Sequence, residues 1–143
     1  MLVKQISVFL ENKSGRLAEV TKTLAESNID ISALSIADTT DFGILRLIVN
    51  DPEKAEGILS ENGFTVSSTS VIAVGVPDEP GGLAAALAVL DKESMEIEYL
   101  YAFVGKEDKA ALVIFRVEDP DKAIKVLQDN GIKVLTSEEV YNL

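Results

Sequence analysis

Two short loops hold the residues best placed to do chemistry. One reads Glu11-Asn12-Lys13-Ser14-Gly15-Arg16-Leu17, the other Pro77-Asp78-Glu79-Pro80-Gly81-Gly82-Leu83. Each sets a short polar side chain, Asn12 or Asp78, three residues before a glycine that opens a helical pattern. A helix N-terminus offers unpaired N–H groups and a partial positive charge, which suits a carboxylate. Gly15 and Gly81 allow close approach to the backbone. Asn12 or Asp78 can meet an ammonium or a polar side chain, so such a loop can hold an amino-acid zwitterion. The same residues also suit a plain turn and cap, and spacing alone favours that plainer reading.

Other chemistry is scarce. Cysteine is absent, which excludes disulfides, thiolate metal sites and a cysteine nucleophile. Histidine is absent too, which removes the commonest general base and transition-metal ligand. No catalytic triad can be built. A carboxylate-only acid–base site stays open, but no pair stands out among the 24 acidic residues. The Asp38–Asp41 turn could offer oxygens to a hard cation; a solvated hairpin is the better reading. The expectation is no enzyme, no metal and no cofactor.

The elements that position the loops come in two copies. Asp51-Pro52-Glu53-Lys54-Ala55, Ile58-Leu59, Asn62-Gly63 and Val66 return as Asp119-Pro120-Asp121-Lys122-Ala123, Val126-Leu127, Asn130-Gly131 and Val134, at a constant offset of 68. The loops themselves repeat at 66, Gly15 to Gly81, so two residues are inserted in the second copy near Gly105–Lys109. In the first copy, alternation predicts a strand at 4–10, and Leu17, Val20 and Leu24 predict a helix over 15–27. A strand at 29–37, a turn at 38–41 and an apolar strand at 43–49 follow. Asp51 caps a second helix with Pro52 at its first position, Asn62-Gly63 stops it, and 64–69 is the fourth strand. The second copy gives strands at 71–76, 96–104, 110–117 and 132–136 and helices at 81–93 and 119–130. The order β-α-β-β-α-β, twice, predicts an α+β fold of two tandem ferredoxin-like modules, 1–69 and 70–143, with helices on one face of each antiparallel sheet. Ser67–Ser70 reads as a polar seam between them, and the sheets are expected to join side by side.

A second sheet face is apolar as well. Leu45, Leu47 and Val49 share one face of their strand, while Ile44 and Ile48 flank Arg46 on the other. Tyr99, Tyr101 and Phe103 oppose Leu100 and Ala102. A sheet needs one greasy face to hold its helices, so a second implies burial and an oligomer, here a homodimer. The net charge of −11 and pI of 4.4 argue against nucleic acid, which is bound by cationic surfaces. An RNA-binding module of this topology would need basic residues beside its aromatics. A metal-chaperone version would need thiols. No apolar run is long enough to span a membrane and no signal peptide is apparent, so a cytoplasmic protein is expected.

With this topology, the segments Asn12-Lys13-Ser14-Gly15-Arg16-Leu17, Asp78-Glu79-Pro80-Gly81-Gly82-Leu83 and Asn28-Ile29-Asp30-Ile31 resemble those of the ACT domain, a small regulatory module of amino-acid metabolism. The resemblance spans essentially the whole chain as two tandem copies. It implies a free amino acid bound at an interface between modules, where the loop of one meets the second strand of its neighbour. Carried over, Asn12, Gly15 and Leu17, with Ser14 and Arg16 beside them, would act with Asn28, Ile29 and Ile31. Asp78, Pro80, Gly81 and Leu83 would act with Met95 and Ile97. Asn12 stands where the family usually has an acidic residue, and Ser94-Met95-Glu96 replaces Asn28-Ile29-Asp30. The two sites are therefore expected to differ in ligand, or only one to work. The chain has no room for a catalytic domain, which implies a stand-alone sensor or a separately encoded regulatory subunit of a metabolic enzyme. The alternative is a ligand-free assembly subunit of such an enzyme.

Overall fold

A computed structural model of the chain describes residues 1–11, 14–38, 41–104 and 110–143. The expected insertion near 105–109 and the middle of the 38–41 turn lie outside the described residues. The elements are β1 (Val3–Glu11), α1 (Arg16–Glu26), β2 (Ile31–Asp38), β3 (Phe42–Val49), α2 (Pro52–Glu61) and β4 (Thr65–Pro77). Then come α3 (Gly82–Lys92), β5 (Ile97–Ala102), β6 (Ala110–Val117), α4 (Pro120–Asp129), β7 (Lys133–Val134) and α5 (Ser137–Tyr141). Two compact units divide the chain: Lys4–Thr69 with Leu143, and Ser70–Asn142 with Met1–Val3.

In the first unit the strand order is β2-β3-β1-β4. Antiparallel register sets Ile6 opposite Leu47 and Val8 opposite Leu45. These four, with Leu10 and Val49, form one wall of a buried cluster whose other wall is Val20 and Leu24 of α1 and Ala55 and Leu59 of α2. Alternation along the strands and the three-to-four spacing of the helices thus meet at one face. The second unit repeats this. β4 lies between β6 and β7, with Ile72 opposite Phe115 and Val74 opposite both Val113 and Val134. Ala86 and Leu90 of α3 and Ala123 and Leu127 of α4 cover that face. Each unit is a ferredoxin-like βαββαβ module.

Matched local signals start and stop matched helices. The Asp51 and Asp119 carboxylates accept the Lys54 and Lys122 N–H groups, both at 3.2 Å, with proline opening each helix. Gly63 and Gly131 follow the C-caps at φ +84° and +74°, where side chains are strained.

Three expectations need correction. The 64–69 and 71–76 strands are one strand, Thr65–Pro77, and Ser67–Ser70 is no break in it. The segment contains no glycine or proline before Gly75, so nothing interrupts its extended backbone. The last strand is two residues rather than five, because Thr136 opens α5. There the Thr136 hydroxyl accepts the Glu139 N–H (3.1 Å) while the Glu139 carboxylate accepts the Thr136 N–H (3.3 Å), a capping box. The Thr136 N–H first, then Lys133 at 3.2 Å, hold the Glu139 carboxyl below its ordinary value.

Both second strands carry a bulge at the same place, between Ile31 and Ala33 and between Ile97 and Tyr99. The extra residue changes which side chains share a face. Ile31 pairs with core Val49, then Leu34 with core Leu47. Ile97 pairs with core Val117, then Leu100 with core Phe115. Tyr99 and Tyr101, opposite Arg116 and Ile114, therefore lie on the helix-free face, with rings 6.5 Å apart. That face is substantially buried, at Ala33 and Ile48 in the first unit and Tyr101 and Ile114 in the second. No helix among the described residues is long and apolar enough to cross a membrane.

Candidate ligand site

The loop glycines behave as a pair. Gly15 is the N-cap of α1 at φ +87°, ψ −8°, and Gly81 that of α3 at φ +90°, ψ −9°. Both angles lie in the left-handed region, and neither cap uses a side chain. The Gly15 carbonyl accepts the Glu19 N–H (2.9 Å) and the Gly81 carbonyl the Ala85 N–H (3.0 Å), the first bond of each helix. Ser14, Gly15 and Leu17 are exposed, as are Asp78, Pro80 and Gly81. Asn12 lies outside the described residues. Leu83 differs from its counterpart Leu17 by packing against the core of its unit.

One position later the loops diverge. Arg16 lays its guanidinium over the Phe64 ring, 4.7 Å from the centroid, and its Nη1 donates to the Glu19 carboxylate at 2.8 Å. Its Nε is buried and has no hydrogen-bond acceptor. In the second copy Gly82 occupies that position, and a Cβ there would overlap the Pro77 carbonyl oxygen. The second loop closes on itself, Glu79 N–H donating to Pro77 O (2.9 Å) and Gly82 N–H to Glu79 O (3.0 Å). Glu19 and Phe64 were not among the sequence candidates. Glu19, three residues after Arg16 on a helix, carried the only readable hint.

The strand-start residues close their helices. Asn28 and Ser94 sit at φ +57° and +54° just past the C-caps. Ile29 and Met95 N–H groups reach back to the Leu24 and Leu90 carbonyls at 3.0 and 3.1 Å. This six-to-one bond with a left-handed residue is a Schellman-type ending, and asparagine tolerates it best after glycine. Ile29 is buried in the first core, and Ile31, Met95 and Ile97 pack on the edges of theirs.

Within one unit, the loop and the strand start are not brought together. Gly15 precedes α1 and Asn28 follows it, so an 11-residue helix lies between them, a length of roughly 16 Å. Beside the second unit's strand start, Glu93–Glu96 with Glu118, Asp119 and Lys122 line an open, polar cavity of about 660 Å³. At the matching place in the first unit, Lys54 Nζ donates to Ser27 O (2.9 Å) and Asp30 N–H to the Asn50 side chain (3.0 Å).

Tandem ferredoxin-like modules with paired loop glycines define the class, and the chain belongs to the ACT domain pair family, whose model matches residues 1–143. The solved structure of protein BT0572 from Bacteroides thetaiotaomicron is similar at 46% identity and a TM-score of 0.94, over 100% of this chain and 98% of that one. The ligand-free regulatory subunit of aspartate kinase from Thermus thermophilus shares the fold at 18% identity and a TM-score of 0.63, over 90% and 93% of the two chains. Aspartate kinase from Synechocystis does so at 17% identity and a TM-score of 0.57, over 98% of this chain but 26% of its own length. No curated protein matches the chain.

Proposed function

We propose that this protein is an amino-acid-responsive regulator, which binds a free amino acid and passes the signal to a metabolic enzyme by changing its own assembly. The observation that carries the reading is the paired Gly15 and Gly81 geometry, repeated to within a few degrees in both modules of an ACT domain pair. A left-handed glycine at a helix N-terminus leaves the backbone open to a small carboxylate. Regulatory subunits of aspartate kinase among the neighbours support a regulatory role. The separation of loop from strand start along α1 supports a ligand that bridges two modules, and we place the second module in another copy of the chain, making a homodimer. Regulation then requires the amino acid to prefer one assembly over another. A ligand-free assembly subunit is the competing reading.

The test is thermal unfolding with each of the twenty common amino acids at millimolar concentration. A ligand bound only by the folded state stabilises it by RT ln(1 + [L]/Kd), about 2.7 kcal/mol at one hundred times Kd. One amino acid, or a chemically related few, raising the midpoint by several degrees is the expected result. No shift from any of them, with the protein folded, would favour the ligand-free subunit.

A further inference from the structure

The two modules of this chain control for each other. Their backbones agree at the loop glycines, at the left-handed helix endings and at the bulges, so a difference in side chains at one place is a difference in use. Three such differences fall together. Arg16, Glu19 and Phe64 touch one another in the first unit, and the matching positions hold Gly82, Ala85 and Ile132. No pair of the second trio can reproduce the contact, since none carries a charge or a ring.

The first trio is built as a holder for a guanidinium. Phe64 is buried and presents its ring face, fixing the plane of the cation. Glu19 takes Nη1 and fixes its rotation about that plane. What remains is the edge made by Nε and Nη2, the edge that receives a carboxylate with two parallel N–H···O bonds. Its Nε has no acceptor. A buried donor without a partner is costly, and its acceptor is to be sought in a ligand or water. The side chain is 26% exposed, so the rim of the guanidinium stays within reach of solvent.

We propose that Arg16, stacked on Phe64 and braced by Glu19, receives the α-carboxylate of the amino acid at the first-module loop. The second-module loop, closed over Gly82 by the Pro77 carbonyl, receives none, so each chain binds one amino acid. This rests on the amino-acid-binding reading above and adds to it the anchoring residue and the stoichiometry.

The experiment is equilibrium dialysis of the full chain against a mixture of the twenty common amino acids at 1 mM each (about the concentration at which a millimolar Kd half-saturates). Amino-acid analysis then counts what is retained per chain. Arg16→Lys keeps the charge and removes the planar fork; Glu19→Gln leaves Arg16 in place and frees Nη1. Far-UV circular dichroism checks that both variants fold. The expected result is one equivalent per wild-type chain, affinity at least tenfold weaker in Arg16→Lys, and binding retained in Glu19→Gln. Two equivalents per chain, or one equivalent untouched by Arg16→Lys, overturns this proposal and leaves the sensor reading standing. Retention of nothing by folded protein overturns both.

Discussion

Alanine at Gly57 and at Gly82 should move stability in opposite directions, although both glycines lie in helices. At Gly57 an added Cβ meets nothing within 4 Å, and φ is not in the left-handed region. The substitution then only removes backbone freedom from the unfolded chain and improves helix propensity, a gain of about 0.5–1 kcal/mol. At Gly82 the same gain is opposed by the Pro77 backbone, whose carbonyl oxygen lies where the Cβ would go, with its carbonyl carbon at 3.1 Å and its nitrogen at 3.4 Å. Backbone cannot swing aside as a flexible side chain can. Overpacking of this kind costs about 1–3 kcal/mol, so the net effect is a loss of about 1–2 kcal/mol. Gly15→Ala is the third member of the set, with open space around it but φ at +87°. It isolates the left-handed penalty, about 1–2 kcal/mol. Thermal and urea unfolding followed by far-UV circular dichroism would rank the variants Gly57→Ala, wild type, then the other two. With about 2–4 °C per kcal/mol for chains somewhat larger than this one, the spread is measurable. A Gly82→Ala protein as stable as wild type would refute the close approach of Pro77, and with it the closed second loop.

Other outcomes follow from features seen once or twice in the fold. Leu24→Ala and Leu90→Ala empty equivalent, fully buried positions and should each cost about 3–5 kcal/mol in urea unfolding. Ser94→Gly relieves a left-handed serine at φ +54° and should gain about 0.5–1 kcal/mol, read as a higher midpoint. Asp51→Ala and Asp119→Ala remove matched caps and should cost about 1 kcal/mol each. Glu139 has a lowered carboxyl in the folded state, so its contribution is present above its unfolded value near 4.5 and is lost as pH falls through the lower folded value. Glu139→Gln should flatten that part of the acid limb of a midpoint-against-pH profile.

Much of the fold was legible because its signals are local and occur twice. Asp51-Pro52 and Asp119-Pro120 start helices by a side chain reaching three residues on, and Asn62-Gly63 and Asn130-Gly131 stop them. Such signals need no knowledge of the rest of the chain. The capping box from Thr136 to Glu139 was equally local, but a strand pattern running to 136 hid it. The bulges left no mark, since nothing in Ile31-Ser32-Ala33 or Ile97-Glu98-Tyr99 announces an extra residue. Their existence depends on the register of β3 and β6. The candidate site divided in the same way. Gly15 and Gly81 could be picked out as helix openers from sequence. That Gly82 must be glycine depends on where Pro77 turns its carbonyl, and that Arg16 is held depends on Phe64, 48 positions away. Asn28 was read as a ligand residue, and its backbone angle shows why an asparagine stands there regardless of ligand.

The repeated bulge has a consequence for solubility of another kind. β2 and β5 stand at the outer ends of the strand orders of their units, and each exposes large apolar side chains, Leu34 and Ile36 on one and Leu100 on the other. A flat strand so placed and so furnished is a template for fibrous, chain-on-chain growth. An unpaired extra residue near the start of each strand kinks it and spoils the even spacing of donors and acceptors that a stacking strand would need. The same irregularity that turns Ile97 and Leu100 onto one face would thus act as a guard against runaway polymerisation in a chain rich in β-structure.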